Sequence, residues 1–351
     1  MDKVFKNVKI RAISAVVPKD KIELMTLSED FGEETVKKII RSTGITEVRV
    51  AKDGLTSSDL CVKAAENLIR ELEISPQELD GVVFVTQTPD YIVPHTSGII
   101  QDRLGIPKKS VVFDINYGCS GYVYGLFQAF LLVESGYCKN VLLCAGDTTT
   151  KYIHKEDRAN RMMAGDAGSA TLISRVEGAS ETIFNFYSDG SGAKFLMMPA
   201  GGCRNPRKAG VTDIIEYDKD GNGMTLENLH MNGLEITTFA LKEVKKAVKS
   251  IMEESGWDKD EVDLFALHQA NEFLVKQISR QLKVAPEKVP VGIQKTGNSA
   301  ATTIPMMLCN LYAGVNPGFK KVVTCGFGVG LSCAAGTIDL SETIILPTGE
   351  Y

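Results

Sequence analysis

Apolar positions along the chain fall into two alternating kinds of run. Short runs of strand length occupy residues 8–17, 81–86, 111–115, 141–145 and 170–174, with longer stretches of helical spacing between them, such as 58–72 and 122–133. A second series follows, with strands at 182–187, 262–267, 321–325 and 331–338 and helices at 233–255, 272–282 and 303–313. Strands alternating with helices predict an α/β protein whose largely parallel sheet is covered on both faces. Two successive series predict one unit used twice, with a seam near 176–181, so that residues 1–178 and 179–351 form two halves. A weak internal echo agrees: Gly165-Asp166-Ala167-Gly168-Ser169-Ala170-Thr171 resembles Gly328-Val329-Gly330-Leu331-Ser332-Cys333-Ala334, each a glycine turn feeding an apolar strand. Between residues 200 and 223 the pattern breaks into a polar, glycine-rich stretch, which reads as an excursion that shapes a tunnel or lid.

Composition narrows the class. The 351 residues carry 39 basic and 44 acidic side chains, with no basic run that could track a nucleic-acid backbone or an anionic lipid surface. Residues 1–9 lack the apolar core of a signal peptide, and no apolar stretch is long enough to span a bilayer, so the expectation is a soluble, cytoplasmic protein without nucleic-acid or membrane partners. Eight cysteines without a C-x-x-C pair, and four histidines without a close pair, predict reduced thiols and no metal site. Seven of those cysteines read as packing.

The eighth is different. Cys119 lies in Asn116-Tyr117-Gly118-Cys119-Ser120-Gly121, where an apolar strand hands over to an apolar helix. A thiol at a helix amino end faces unpaired N–H groups and the positive end of the dipole, which predicts a lowered pKa and an accessible thiolate. Two further pieces carry chemistry: Leu267-His268-Gln269-Ala270-Asn271 at the end of an apolar strand, and Gly297-Asn298-Ser299 in a turn before a helix. A thiol, an imidazole and a carboxamide together suit thioester chemistry, in which cysteine takes an acyl group and a carbon nucleophile then removes it. If that nucleophile comes from a malonyl thioester, loss of carbon dioxide leaves an enolate oxygen, and His268 Nε2 with Asn298 Nδ2 would donate to it. The acyl carbonyl needs its own oxyanion hole. The backbone N–H groups of Cys119 and of Gly326-Phe327-Gly328-Val329-Gly330, Val329 among them, are the candidates.

These pieces, with Arg41-Ser42-Thr43-Gly44-Ile45 and Gly165-Asp166-Ala167-Gly168, occur in the order seen in the β-ketoacyl-acyl carrier protein synthase III family of thiolase-like condensing enzymes, which the chain resembles over nearly its whole length. The resemblance implies a duplicated five-layer αβαβα fold, a homodimer, and decarboxylative condensation of a malonyl thioester with an acyl group on Cys119, with His268 and Asn298 stabilising the enolate. It implies no permanently bound cofactor; thioesters of coenzyme A or of acyl carrier protein are the substrates. Departures from the pattern bear on the primer. The position of the tryptophan that stacks on coenzyme A is Lys38, while Arg158 matches its arginine partner. Val93 stands where an aromatic gate often lies on the acyl tunnel. Phe273 replaces a basic residue used for carrier-protein docking, which leaves Lys276 and Arg280, with Lys283, as substitutes.

Four rival chemistries bear comparison with these residues. A thiolase needs a second cysteine where Gly326 stands, and Cys325 is one residue out of register, which on a strand means the opposite face. A hydroxymethylglutaryl-coenzyme A synthase needs a glutamate near Thr86-Gln87-Thr88. Another polyketide-type acyltransferase stays open. A papain-like cysteine hydrolase shares the order Cys, His, Asn, but its nucleophile lies in a C-G-S-C-W context.

Overall fold

The computed structural model describes residues 4–315 and 317–351. Nine strands and six helices build the frame. The strands are β1 (Val8–Val17), β2 (Gly81–Val85), β3 (Val111–Ile115), β4 (Asn140–Asp147), β5 (Ala167–Arg175), β6 (Thr182–Ser188), β7 (Leu264–Leu267), β8 (Val322–Gly328) and β9 (Ser332–Ile338). The helices are α1 (Ser57–Glu71), α2 (Thr96–Arg103), α3 (Gly121–Glu134), α4 (Gly233–Ser255), α5 (Glu272–Leu282) and α6 (Thr303–Tyr312).

Two sheets form, and they repeat one plan. The first runs β1-β5-β4-β2-β3 and the second β6-β9-β8-β7. From β1 and from β6 alike, the first two pairings are antiparallel and the third is parallel. The sheets are therefore mixed, which corrects the largely parallel expectation. The chain leaves β4 through the short helical turns at Thr149–Tyr152 and Arg158–Arg161, too brief to carry a parallel crossover, and returns antiparallel as β5. The chain ends exchange partners: Val4–Phe5 pairs with β6, whereas Ile344–Ile345 and Gly349–Glu350 pair with β1.

Helices fill three layers around these sheets. The middle layer is α3 and α6, each touching strands of both sheets; α1 and α2 cover the outer face of the first sheet, and α4 that of the second, with α5 packed on α4. Helix α3 is apolar around most of its circumference, with Tyr122, Val123, Leu126, Phe130 and Val133 buried, as a helix sandwiched between two sheets must be. The amphipathic helices lie outside: α1 buries Leu60, Cys61, Ala64, Ala65 and Leu68 along one stripe. Its start is held by a capping box, the Asp59 carboxylate accepting the Thr56 N–H at 2.8 Å. Among the described residues no helix is long and apolar enough to cross a membrane. All eight cysteines are free. Six besides Cys119 are buried as packing, but Cys203 is exposed in the glycine-rich excursion, because that segment contributes no strand or helix face to the core.

Candidate active site

Cys119 immediately precedes Ser120, the N-cap of α3, and the strand segment Gly326–Gly328 lies directly against it. A Cβ on Gly328 would stand 2.8 Å from Cys119 Cβ and 3.0 Å from its Sγ, and one on Gly326 would stand 2.7 Å from Ser120 Cα. Both positions exclude any side chain. A second catalytic cysteine at 326 therefore has no room. Cys325 points away from the site, its sulfur 3.7 Å from that of buried Cys333, as the register argument requires.

The thiol does not behave as its helix-terminal position suggested. Cys119 opens onto a cavity but sits deep in the protein. Burial, and after it the nearby Asp147 carboxylate, push its pKa up to about 12, outweighing the backbone N–H groups of Val329 and Cys119 that favour the thiolate. Desolvation and a like charge win because Cys119 lies outside the first helical turn, while Asp147 ends β4 close enough for its charge to act on the thiol. The resting sulfur is a protonated thiol.

Asp147 was not singled out from the sequence. It is fully buried, and its Oδ1 accepts the Gln87 N–H at 2.7 Å and the Thr86 and Thr88 hydroxyls at 3.3 and 3.4 Å, while Oδ2 faces the Ala301 N–H at 3.4 Å. One carboxylate thus ties the loop after β2 to the turn that carries Asn298. Burial raises its pKa to about 7 despite these bonds. The sequence offered one cue, a charged residue closing an otherwise apolar strand.

His268 follows β7, and its N–H donates to Cys325 O at 2.8 Å, which places the ring edge-on to Phe327 with centroids 5.1 Å apart. Imidazole and thiol thus flank the same short segment of β8. Burial pulls the imidazole pKa down to about 3, so His268 is neutral in the resting site. Its Nδ1 meets Thr303 Oγ1 at 2.6 Å, and its Nε2 has no hydrogen bond among the described residues. The rest of the His268-Gln269-Ala270-Asn271 motif is structural: Gln269 bridges Leu267 O and Gly292 N, and Asn271 caps α5 by accepting the Leu274 N–H at 2.8 Å.

Asn298 is held by backbone on both sides. Its N–H donates to Met163 O at 2.8 Å and its C=O accepts Gly165 N–H at 3.0 Å. The approach is so close that a Cβ on Gly165 would lie 1.9 Å from Thr296 O, which accounts for the glycine opening the Gly165-Asp166-Ala167-Gly168 motif. Next along, Asp166 accepts the N–H groups of Ala51 and Thr150 at 2.7 and 3.0 Å, fixing a loop that walls the site. The Ala300 N–H reaches the Asn298 carboxamide at 3.0 Å; only an oxygen can accept it, so Oδ1 lies there and Nδ2 is free to donate.

Cys119, Asn298 and Val329 share one cavity of about 270 Å³, whose remaining wall is mainly apolar, with Ile153, Leu196 and Met231 prominent. No residue between 200 and 223 lines the cavity, which departs from the tunnel-shaping expectation; Met198, Leu229 and Met231, on either side of that stretch, do. The other expected residues lie outside it. Lys38 is exposed on the helix Glu33–Thr43. One guanidinium N–H of Arg158 donates to Asp220 O at 2.5 Å. Val93 is 79 % exposed beside Tyr91 and Ile92, so in a single chain it gates nothing. Lys276 pairs with Glu272 on α5, and Arg280 is exposed on the same helix.

Comparison with known proteins agrees over both sheets. Family models described as 3-oxoacyl-[acyl-carrier-protein (ACP)] synthase III and its C-terminal region match residues 113–192 and 252–340. A putative 3-oxoacyl-[acyl-carrier-protein] synthase 3 of Campylobacter jejuni is 34 % identical over 344 residues, covering 96 % of this chain and 95 % of that protein. The β-ketoacyl-[acyl-carrier-protein] synthase III of Caldanaerobacter subterraneus is 32 % identical over 87 % of this chain and 89 % of its own length. Among solved structures, a 3-oxoacyl-(acyl-carrier protein) synthase from Burkholderia xenovorans superposes with a TM-score of 0.92 at 32 % identity, covering 99 % of this chain and 98 % of that one.

Proposed function

This chain belongs to the 3-oxoacyl-[acyl-carrier-protein] synthase III family of acyl-transferring condensing enzymes, and on that premise we propose how its residues divide the reaction. Cys119 takes the acyl group from a thioester, with the N–H groups of Cys119 and Val329 receiving the carbonyl oxygen. A malonyl thioester then enters, loses carbon dioxide, and presents an enolate oxygen to Asn298 Nδ2 and His268 Nε2. The enolate carbon attacks the acyl carbonyl and expels the Cys119 sulfur. The observation that carries this reading is the opening of Cys119 and Asn298 onto one apolar cavity, with His268 seated against the glycine-rich segment that backs the thiol.

Several finer assignments belong to the same proposal. Lys276 and Arg280 on α5 receive an acyl carrier protein, supported by the neighbouring helix Glu33–Thr43, which packs on α5 and adds Lys38 and Arg41. Lys38 and Arg158 meet the nucleotide phosphates of a coenzyme A primer. A homodimer is supported by the exposed apolar run Tyr91, Ile92 and Val93. No cofactor stays bound between turnovers, and the setting is the cytoplasm. The halves 1–178 and 179–351 descend from one duplicated unit, supported by their shared strand order. The rival chemistries lose ground: position 326 has no space for a thiolase cysteine, and the Gln87 N–H with the Thr86 and Thr88 hydroxyls is committed to Asp147.

The test is product balance. Incubation with an acyl thioester and malonyl-acyl carrier protein is expected to release one carbon dioxide per β-ketoacyl product. Carbon dioxide release without a new carbon–carbon bond contradicts the proposal.

A further inference from the structure

We propose that Thr303 is a positioning residue that fixes the tautomer of His268, holding the imidazole with its proton on Nδ1 and a bare Nε2 lone pair. The inference rests on the reading of His268 just given. Thr303 opens α6 and is buried. Its hydroxyl has three partners: His268 Nδ1 at 2.6 Å, the Gln269 N–H at 3.3 Å and Ala300 O at 3.2 Å.

A hydroxyl carries one proton and two lone pairs. Gln269 N–H can only donate, so it takes one lone pair. Ala300 O can only accept; it already receives the Thr303 N–H and has a second lone pair for the hydroxyl proton. The remaining lone pair of Oγ1 is left for Nδ1, which must therefore bring a proton of its own. The opposite arrangement turns the hydroxyl proton onto Nδ1, gives up the bond to Ala300 O and leaves those two oxygens facing each other at 3.2 Å, lone pair to lone pair. Only the first arrangement keeps all three hydrogen bonds of the hydroxyl. A neutral ring protonated at Nδ1 has no proton on Nε2.

The consequence follows from the proton count. Cys119 rests as a thiol, so loading needs an acceptor. As the sulfur attacks the thioester carbonyl, the S–H bond breaks, the C–S bond forms and the proton passes to Nε2. Collapse of the tetrahedral adduct breaks the bond to the departing thiolate, which leaves with that proton, and the ring is neutral again. Decarboxylative condensation consumes one proton from solvent. Nε2 binds it while the malonyl carboxylate is in the site, donates toward the enolate oxygen, and delivers it to the Cys119 sulfur when the new carbon–carbon bond expels the enzyme. Nδ1 keeps its proton throughout, and Thr303 is what holds it there.

Imidazole nitrogen-15 spectra of the intact protein, with the His268 signals identified by their loss in His268→Asn, report the tautomer directly. Wild type and Thr303→Ser are expected to show protonated Nδ1 and bare Nε2. Thr303→Val is expected to mix the tautomers and slow acyl loading at least tenfold, and Thr303→Ser restores most of that rate. A wild-type spectrum with protonated Nε2 and bare Nδ1 overturns the inference, as does a Thr303→Val spectrum identical to wild type. Should Thr303→Val fail to fold, the wild-type spectrum still decides. Failure of the underlying active-site reading looks different: Cys119→Ala would then accept acyl groups while the imidazole signals kept the stated pattern.

Discussion

Replacing Asp147 by asparagine removes a buried charge that opposes ionisation of Cys119, while keeping the shape of the carboxylate. The side-chain oxygen can still accept the Gln87 N–H and the two threonine hydroxyls; only the long 3.4 Å contact with Ala301 N–H is lost, at a cost of about 1 kcal/mol. Against this stands the desolvation of a buried carboxylate whose pKa in the fold is about 7, compared with an ordinary 3.8. The native state therefore binds the proton more tightly than the unfolded chain. The stabilisation is complete below the unfolded pKa and fades as pH rises, at about 1.4 kcal/mol per pH unit, until it is gone above the folded value. Asparagine has no such dependence. Between pH 5 and pH 7 the stability of Asp147→Asn relative to wild type should rise by about 2–3 kcal/mol. Urea unfolding of both proteins across this range measures the gap. Two thiols, Cys119 and Cys61, are the titratable groups on which the Asp147 charge acts, and both titrate above the range. Unfolding curves that stay parallel from pH 5 to pH 8 would refute the argument that burial governs this carboxylate. The same variant should alkylate faster at Cys119 at pH 8, because one of the two influences raising that thiol is gone.

Other changes separate the steps of the reaction. Asn298→Ala should accept the acyl group at the wild-type rate yet decarboxylate malonyl thioester at least a hundredfold more slowly, about 3 kcal/mol of lost enolate stabilisation, as read by carbon dioxide release. Gly328→Ala places a methyl 2.8 Å from Cys119 Cβ and should lower loading with iodoacetamide and with acyl thioester alike, whereas normal reactivity would show that the segment yields easily. With Lys38 in place of an aromatic clamp and an apolar cavity of about 270 Å³ beside Cys119, primers larger than acetyl are expected to react faster than acetyl-coenzyme A; a rate series across acyl lengths checks this.

Much of this site was legible before folding. Cys119 and His268 each stand where an apolar run stops, and Asn298 in a turn just before one begins; such boundaries are where strand ends and turns bring side chains to one rim. The duplication was legible in the order of strands and helices, but the strand directions were not. Whether β5 runs against β4 depends on how the turns at 149–161 fold back, and no periodicity records that. The thiol departs from its local pattern for a related reason. Its helix terminus is local, whereas the desolvation and the Asp147 charge that outweigh it come from residues joined only by the fold. Arg158 illustrates the same limit: its partner, Asp220 O, belongs to an excursion whose path the pattern could not trace. The pattern marks Thr303 only as a helix start; Gln269 and Ala300 meet its hydroxyl only in the fold.

Intact-protein mass after exposure to an acyl thioester tests the central claim most directly, since everything turns on one sulfur becoming acylated and then being freed by a malonyl group. Wild-type protein should gain one acyl mass, located on the peptide containing Cys119, and lose it on addition of malonyl-acyl carrier protein; Cys119→Ala should gain nothing. An equal adduct on Cys119→Ala, or an acyl mass that malonyl thioester leaves in place, would contradict the account.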